Sequence, residues 1–354
     1  MASKVRIGIY GAGSIGSTHA KALGSVQDVQ IAAMCDTIEA RVNEKADAFK
    51  VEKRYTDLKK MLKESDLDGL IVAVPNAFHA EGTIEGLKAG CNVLCEKPMA
   101  LNAAQGRKMV EAAEKAGKVI QMGMVRRFSA ESQALRAFAA EGGFGKIYHM
   151  RVFMRRRRGI PGLGGWFTTK ALSGGGGLID IGVHVIDQVM WLSDNWEPTT
   201  ASAGVYSKFG SPLDKYVYTG MWAGPPKLDG VFDVDDYATG LVRFASGATL
   251  SLEVSWAANA EDGSLVEILG DKGGAELDSS GVTIYTEKSG RLADMKLLLA
   301  QVVPFDLQAA NFVAVCQGKA KPNATGEQGA VVMEVLDAIY KSGELGREVK
   351  VGGR

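Results

Sequence analysis

Three features are scarce or missing in this sequence of 354 residues. It has no net charge, because 41 lysines and arginines balance 41 aspartates and glutamates, so no overall field attracts nucleic acid or an anionic membrane. It has no run of 18 apolar residues, which argues against a membrane-spanning helix, and no signal peptide is recognisable near its beginning. We therefore expect a globular protein with neither nucleic-acid nor membrane partners.

Cysteine is also scarce, with Cys35, Cys91, Cys95 and Cys316 as its four positions. Cys91 and Cys95 have a loose metal-like spacing, but no second pair of Cys or His residues complements them, so we expect no metal site. Reduced, buried thiols are the simpler interpretation and are typical of cytoplasmic proteins. We therefore predict a cytoplasmic location.

Glycine, in contrast, is abundant with 44 residues, and its first group forms a motif. A strand candidate, Val5–Tyr10, leads into G-x-G-x-x-G and then into a helical pattern at Thr18–Leu23. The first glycine of this motif makes a tight turn, the second lets a pyrophosphate approach the backbone, and the third lets the helix pack on the strand. The phosphates would bind the free N–H groups at the helix N-terminus. The expected cofactor contacts are Gly11, Gly13, Ser14, Ile15 and Gly16.

An acidic residue ends the next strand candidate. Val29–Cys35 is apolar and is followed by Asp36, 20 residues beyond Gly16. A carboxylate in this position hydrogen-bonds the adenosine ribose and repels a 2′-phosphate, which favours NAD over NADP. Arg41 could still help to bind a phosphate. Asp36 could also cap the following helix, and the two roles can coexist.

Strand and helix patterns continue to alternate up to about residue 122. The further strand candidates are Gly69–Val74, Asn92–Cys95 and Val119–Met122. Such alternation predicts a mostly parallel sheet with helices on both faces, whose ligands bind beyond the carboxyl ends of the strands. Lys97 follows an apolar strand directly and precedes Pro98, so we predict a functional role for it. His79 could bind a ligand, or it could simply cap or pack its helix. The residues at these strand ends, all expected near the cofactor, are Val74, Pro75, Asn76, His79, Glu96 and Lys97.

A second glycine group, at Gly174–Asp187, begins with four consecutive glycines. From Leu178 onward, apolar residues recur at helical spacing. Asp180 and His184 are four residues apart, so they share one face of this predicted helix. A carboxylate and an imidazole on one face indicate acid–base chemistry.

The chain before this group carries two further candidate substrate contacts. Arg155 is the first of four arginines at the end of a predicted strand, Lys146–Arg158. Its planar guanidinium group could form two parallel hydrogen bonds with an anionic substrate. It could instead be a solvated strand end or a subunit contact. Trp166 lies in a glycine-rich loop and offers a flat face for a sugar ring or nicotinamide, although core packing is an equal alternative.

The chain after about residue 191 reads mainly as strands, followed by two helices. Turn signals at 245–248 and 270–274 favour antiparallel neighbours. The predicted strands are Ala201–Phe209, Tyr216–Trp222, Asp236–Phe244, Ala248–Trp256, Leu265–Leu269, Ala275–Asp278 and Val282–Thr286, and the predicted helices are Phe305–Cys316 and Glu327–Ser342.

Together these motifs resemble the Gfo/Idh/MocA oxidoreductases, which include glucose–fructose oxidoreductase and inositol dehydrogenase. No single motif is specific for this family, but the order and spacing of the motifs along the chain fit its pattern. The matching pieces are Gly11–Gly16, Pro75-Asn76 with His79, Glu96-Lys97-Pro98, Arg126-Arg127-Phe128, and Gly174–Asp187 with its Asp180-x-Gly182-x-His184 core.

The resemblance implies an α/β protein with two domains. Residues 1–123 would form an NAD(P)-binding Rossmann domain with a doubly wound parallel sheet. Residues 124–354 would form an α+β domain for substrate binding and oligomerisation, with a large open, mostly antiparallel sheet, and the C-terminal helix could pack back on the first domain. Family members are often homodimers or homotetramers joined through that sheet.

The resemblance also implies a catalytic set of Lys97, Asp180 and His184, with Arg127 as a further substrate contact beside Arg155 and Trp166. The leading hypothesis is hydride transfer between NAD and a secondary hydroxyl of a sugar, glycoside or cyclitol. One alternative is a redox-neutral, NAD-dependent glycoside hydrolase on the same fold. The other is a non-catalytic protein that senses a sugar or nicotinamide, which would not need all three catalytic residues.

Overall fold

A computed structural model describes residues 4–352. These residues form two compact units. The first unit runs to Phe128 and also includes Val302–Ala330, and the second consists of Ser129–Gln301 and the chain from Val331 onward. Within this described range, no helix is long and apolar enough to cross a membrane.

The first unit is built on a six-stranded parallel sheet. Strand order is β3-β2-β1-β4-β5-β6, so the chain moves outward from β1 in one direction and then in the other. The predicted doubly wound parallel sheet is therefore confirmed, and β3 and α3 are additions that the sequence patterns did not indicate. The elements are β1 (Val5–Tyr10), α1 (Ser14–Leu23), β2 (Val29–Cys35), α2 (Glu39–Ala48), β3 (Lys53–Tyr55), α3 (Leu58–Ser65), β4 (Gly69–Val72), α4 (His79–Lys88), β5 (Asn92–Cys95), α5 (Ala103–Ala116) and β6 (Ile120–Met122).

The second unit is built on a nine-stranded sheet with the order β14-β13-β12-β11-β7-β10-β9-β8-β15. Only β7 and β10 are parallel neighbours among the described pairs, which confirms the predicted, mostly antiparallel sheet. In chain order, the elements after Phe128 are α6 (Ala130–Ala140), β7 (Ile147–Arg155), α7 (Lys170–Ser173), α8 (Val183–Ser193), β8 (Pro198–Tyr206), β9 (Tyr237–Phe244), β10 (Thr249–Ser255), β11 (Gly263–Gly270), β12 (Gly273–Asp278), β13 (Gly281–Lys288), β14 (Arg291–Lys296), α9 (Pro304–Cys316), α10 (Gly326–Leu345) and β15 (Val349–Lys350). Of these elements, α9 belongs to the first unit and α10 begins in it.

The predicted strand Tyr216–Trp222 is wrong. These residues belong to a long irregular loop, residues 207–236, between β8 and β9. The backbone just after them bonds to another loop instead of to a sheet, because Ala223 N–H donates to the Pro161 carbonyl (3.0 Å) and Lys227 N–H to the Leu163 carbonyl (2.8 Å). Aromatic and β-branched residues indicate a strand only where a partner strand is available.

Helix α9 completes the core of the first unit although it lies near the end of the chain. Phe312 is fully buried and packs in one cluster with Ile7, Ile9 and Met34 of the parallel sheet. The absence of a side chain at Gly69 permits this approach, since a Cβ there would lie 3.2 Å from the Phe312 ring. The apolar residues of β1 are therefore covered by a helix that follows them by about 300 residues.

Replacing Phe312 with Ala should lower the free energy of unfolding by about 3–5 kcal/mol, because it removes a buried ring and leaves a cavity beside β1. Leu307→Ala provides the matched control, since Leu307 lies on the same helix and is 42% exposed. Urea unfolding of both variants measures the difference, and equal effects would contradict the role assigned to α9.

Candidate active site

The loop after β1 has the backbone geometry that a dinucleotide site requires. Gly11 has a φ of +104°, and a Cβ added there would lie 2.3 Å from a backbone carbonyl oxygen that follows β4. A Cβ on Gly16 would lie 1.8 Å from the carbonyl oxygen of Gly11, whereas one on Gly13 would meet no atom within 4 Å. The loop is thus tightly packed on its inner side and open at Gly13. This fits a pyrophosphate at the N-terminus of α1, whose first residues are Ser14 and Ile15.

Asp36 lies directly after β2 and is buried beside the glycine loop. Its Oδ2 accepts a hydrogen bond from Ala12 N–H (2.9 Å), and its Oδ1 accepts one from Ile38 N–H (2.9 Å). The guanidinium of Arg41 lies 3.3 Å from the same carboxylate, and its side chain is 44% exposed. Asp36 therefore connects the end of β2 with the loop after β1 by a hydrogen bond. A carboxylate that binds the adenosine ribose is expected at this position.

His79 is the first residue of α4, and both its ring nitrogens lie close to backbone carbonyl oxygens. Nδ1 is 2.7 Å from the oxygen of Pro98, and Nε2 is 2.8 Å from that of Val74. Burial lowers the pKa of His79, against the opposing effect of these two contacts, and a neutral ring donates to only one of them at a time. His79, a predicted cofactor contact, thus connects Val74, which follows β4, with Pro98. Pro75 and the buried Asn76 lie between His79 and that segment.

The Glu96 carboxylate is buried at the end of β5 and forms two hydrogen bonds. Its Oε1 is 2.8 Å from Nε2 of His19, which is fully buried on α1, and its Oε2 accepts from the backbone N–H of Lys97 (3.2 Å). Burial raises the pKa of Glu96, but the contact with His19 and the nearby positive charges outweigh it, so the pKa lies below its usual value. Gly123 provides the space, since a Cβ there would lie 2.8 Å from Oε1.

The half-buried Lys97 is therefore held on both sides of its backbone. Glu96 binds its N–H group, and His79 contacts the carbonyl oxygen of the residue that follows it. His19 was not among the predicted site residues. A signal was present, because His19 is four residues from both Ile15 and Leu23 and so lies on an apolar helical face, where a buried polar group needs a partner.

In the second unit, the glycine run is held by one buried carboxylate. Asp235 accepts hydrogen bonds from Gly176 N–H (2.7 Å), Leu178 N–H (2.8 Å) and the Tyr340 hydroxyl (2.7 Å). A Cβ on Gly176 would lie 1.8 Å from the Asp235 carbonyl oxygen, and one on Gly175 would lie 2.1 Å from the Tyr340 hydroxyl. These two glycines therefore make room for Asp235 and Tyr340. Burial raises the pKa of Asp235 although its three hydrogen bonds oppose the shift, and burial beside Asp235 raises that of Tyr340 well above 10.

The predicted helix after the glycine run is present, but its first turn is wider than an α-helix. Leu178–Gly182 is a π-helical turn, and it continues into α8. Asp180 lies in this turn and is buried, and its Oδ2 accepts a hydrogen bond from Nε1 of the fully buried Trp256 (3.0 Å). His184 is the second residue of α8 and is half-buried. Single π turns often occur at functional sites.

The other three predicted substrate residues lie in different surroundings. Arg127 is fully buried, and its guanidinium donates to the Asn323 carbonyl (2.7 Å) and to Gln328 Oε1 (2.8 Å). Arg155 ends β7, where its guanidinium lies 3.1 Å from a carboxylate oxygen of Glu253 on β10. These two arginines have structural partners within their own units, and their substrate contacts stay predictions.

Trp166 is half-buried and stacks on Phe167, with ring centroids 3.8 Å apart. Its substrate contact also stays a prediction. Over residues 4–352, no group of three or more His, Cys, Asp or Glu side chains is placed to hold a metal ion.

The parallel sheet, its glycine loop and the acidic residue after β2 are the features of an NAD-binding Rossmann domain. Residues 5–124 match the sequence model of the oxidoreductase family with an NAD-binding Rossmann fold, and residues 132–276 match the GFO/IDH/MocA C-terminal domain. The chain therefore belongs to the Gfo/Idh/MocA oxidoreductase family, as its motifs predicted.

Two relatives match over almost their whole length. The D-glucoside 3-dehydrogenase of Escherichia coli is 33% identical over 355 residues, covering 99% of this chain and 98% of the relative. The myo-inositol 2-dehydrogenase of Thermotoga maritima is 26% identical over 352 residues, covering 98% of each chain. Among solved structures, a levoglucosan dehydrogenase in complex with NADH has a TM-score of 0.85 at 22% identity, covering 99% of this chain and 100% of that one. This last similarity shows the shared fold.

Glu96→Gln should make the free energy of unfolding change less with pH in the acid range. The lowered pKa of Glu96 means that folding favours its ionised form, so its contribution is present above the unfolded pKa of about 4.5 and is lost as pH falls through the lower folded value. The variant should lose about 1.5–3 kcal/mol at pH 7 and less below pH 4.5, as measured by urea unfolding at both pH values. The exposed Glu111→Gln serves as control, and a pH-independent loss at Glu96 would contradict the prediction.

Asp235→Asn should lower the free energy of unfolding by about 1–3 kcal/mol, because one amide oxygen cannot serve all three donors and a buried donor is left without its acceptor. Asp229→Asn in the same loop changes an exposed side chain and should shift stability by no more than about 0.5 kcal/mol. Thermal and urea unfolding compare the two variants. Equal stability of the Asp235 and Asp229 variants would show that Asp235 does not hold the glycine run.

Proposed function

We propose that this oxidoreductase transfers a hydride between NAD and a secondary hydroxyl of a sugar, glycoside or cyclitol, with Lys97, Asp180 and His184 as its catalytic set. The substrate class is supported by the two relatives of full-length similarity, a glucoside dehydrogenase and an inositol dehydrogenase. The observation that carries the proposal is the buried Asp180 carboxylate, which is held by Trp256 four residues before a half-buried histidine.

In oxidation, His184 acts as the general base. An imidazole is the side chain whose reference pKa of about 6.5 suits the acceptance of a proton near neutral pH. As the O–H bond breaks and the C=O bond forms, the hydride leaves the same carbon. When bound, NAD supplies the hydride acceptor. In reduction, His184 returns the proton to the oxygen.

Lys97 hydrogen-bonds the reacting oxygen and stabilises its developing negative charge. The backbone contacts on each side of Lys97 support this role, because the Lys97 N–H group donates to Glu96 and the next carbonyl, that of Pro98, contacts His79, so the backbone that carries the side chain is held. Asp180 positions the substrate hydroxyl or the imidazole. Its bond from Trp256 keeps the carboxylate in one orientation.

The Asp36 carboxylate supports a preference for NAD over NADP. It is buried beside the glycine loop, where it would hydrogen-bond a ribose and repel a phosphate on the same hydroxyl. Arg41 is ion-paired with Asp36, which reduces the charge that it could offer to that phosphate. Oligomerisation through the nine-stranded sheet and a cytoplasmic location stay predictions, and sedimentation velocity of the purified chain tests the first.

Lys97→Ala and His184→Ala should each lower kcat by about 10²- to 10⁴-fold, because each removes a group that acts on the reacting hydroxyl. The measurement is NADH formation with a panel of glucosides, inositols and anhydrosugars, and NADP should support a slower reaction than NAD. Lys108→Ala, an exposed position on α5, is the control.

Cofactor titration separates catalysis from binding, since His184→Ala should bind NAD as the unchanged protein does. Sugar release without net NADH formation would indicate the redox-neutral hydrolase instead. Full activity of both catalytic variants would refute the assigned set.

A further inference from the structure

The two edges of the nine-stranded sheet differ in length. One edge strand, β15, has only two residues, whereas the other, β14, has six and pairs only with β13 among the strands of the described chain. An edge strand presents N–H and C=O groups that can pair with another chain, and proteins usually shorten or cover such a strand. The β14 edge is not shortened, and its surroundings are open to solvent. Leu292 on β14 is 88% exposed, and Leu298, two residues after the strand, is 100% exposed.

One hydrogen bond shows which backbone groups of β14 point away from β13. In an antiparallel pair, every second residue directs both its N–H and its C=O toward the neighbouring strand. Leu297 is such a residue, because its N–H donates to the Val282 carbonyl of β13 (3.1 Å). Residues an odd number of positions from Leu297 therefore direct their backbone groups toward the free edge. On β14 these residues are Leu292, Asp294 and Lys296, and Leu298 continues the same alternation.

The side chains of these residues also share one face of the sheet, since side chains alternate along a strand. Leu292, Asp294 and Lys296 are exposed, whereas Ala293 and Met295 on the opposite face are half-buried. None of the ion pairs found within residues 4–352 includes Asp294 or Lys296. Both charges are therefore available to a partner at this edge.

The order of these side chains is complementary to itself when the strand is reversed. A second antiparallel β14 must place hydrogen-bonded residues opposite one another, so Asp294 and Lys296 can face only the corresponding set of the copy. A two-fold axis at Asp294 or at Lys296 would put that residue opposite its own copy, and like charges in this position are destabilising. An axis at Met295 instead places Asp294 opposite Lys296 of the second copy. The same register places Leu292 opposite Leu298 of the second copy.

We propose that β14 pairs with β14 of a second copy of this chain, antiparallel and with Met295 on the two-fold axis. Symmetry makes each contact occur twice, as in any isologous interface. The two nine-stranded sheets then form one continuous sheet. A lysine alone on an edge strand opposes pairing, but Asp294 makes Lys296 complementary to a second copy. The proposal names the edge and the register of a contact between two copies, and it does not depend on the proposed function.

The test reverses the two charges separately and together in the full-length protein. Asp294→Lys places only lysines opposite one another, and Lys296→Asp places only aspartates, so each should raise the dissociation constant of the dimer about 10- to 100-fold. The double variant Asp294→Lys/Lys296→Asp should restore the dimer, because the charges are opposite again. A mixture of the two single variants should form a mixed dimer for the same reason. Sedimentation velocity measures the dissociation constants, and native mass spectrometry identifies the mixed dimer.

Glu287→Lys is the matched control. Glu287 is an exposed residue of β13 that lies opposite Leu292, so it shares the face of Asp294 but lies one strand away from the edge. A contact through the face of the sheet would respond to Glu287→Lys and Asp294→Lys alike, whereas edge pairing responds to Asp294→Lys alone. If further contacts hold a larger assembly, the single edge variants should reduce it to the next smaller species. Thermal unfolding shows whether each variant is folded.

Amide hydrogen exchange of the unchanged protein gives a second measurement that needs no variant. Exchange in the segment 291–298 should become about tenfold slower when the protein concentration is raised from below to above the dissociation constant, because free-edge N–H groups become hydrogen-bonded. Exchange that does not depend on concentration would overturn the proposal. So would a protein that stays monomeric at every concentration, an equal loss in the Glu287 and Asp294 variants, or a double variant that fails to restore the dimer.

Discussion

Three distant stretches of the second unit meet at the carboxylate of Asp235: the glycine run, the end of the long loop, and helix α10 through Tyr340. A buried carboxylate is costly unless hydrogen bonds replace its water, and here one hydroxyl and two backbone N–H groups do so. The raised pKa of Asp235 shows that burial still outweighs those bonds. The turn that carries Asp180 therefore depends on a polar contact that works only when all its partners are in place.

The first unit uses the same principle around Lys97. The buried contact between His19 and Glu96 and the contact of His79 with Pro98 fix the backbone on both sides of the lysine. Apolar packing tolerates small shifts, but hydrogen bonds have narrow limits of distance and angle. Polar groups inside the protein therefore hold the backbone segments that carry Lys97 and Asp180.

The sequence was most informative where chemistry requires a particular residue at a particular spacing. The glycine loop, Asp36 and the parallel sheet could be predicted because a turn with positive φ and a short strand leave few alternatives. The strand at Tyr216–Trp222 could not be excluded, since composition does not show whether a partner strand exists. His19 and Asp235 act through residues 77 and 59 positions away, and no local pattern indicates such pairs.

The place of α9 has a consequence for synthesis on the ribosome. The apolar residues of β1 emerge about 300 residues before the helix that covers them, which has Phe312 at its centre. While the residues between β1 and α9 are synthesised, part of the apolar surface of the parallel sheet must therefore stay uncovered. Contacts of such long sequence separation form slowly and leave the nascent chain open to aggregation. A chain that is cut short before residue 304 would lack this cover permanently.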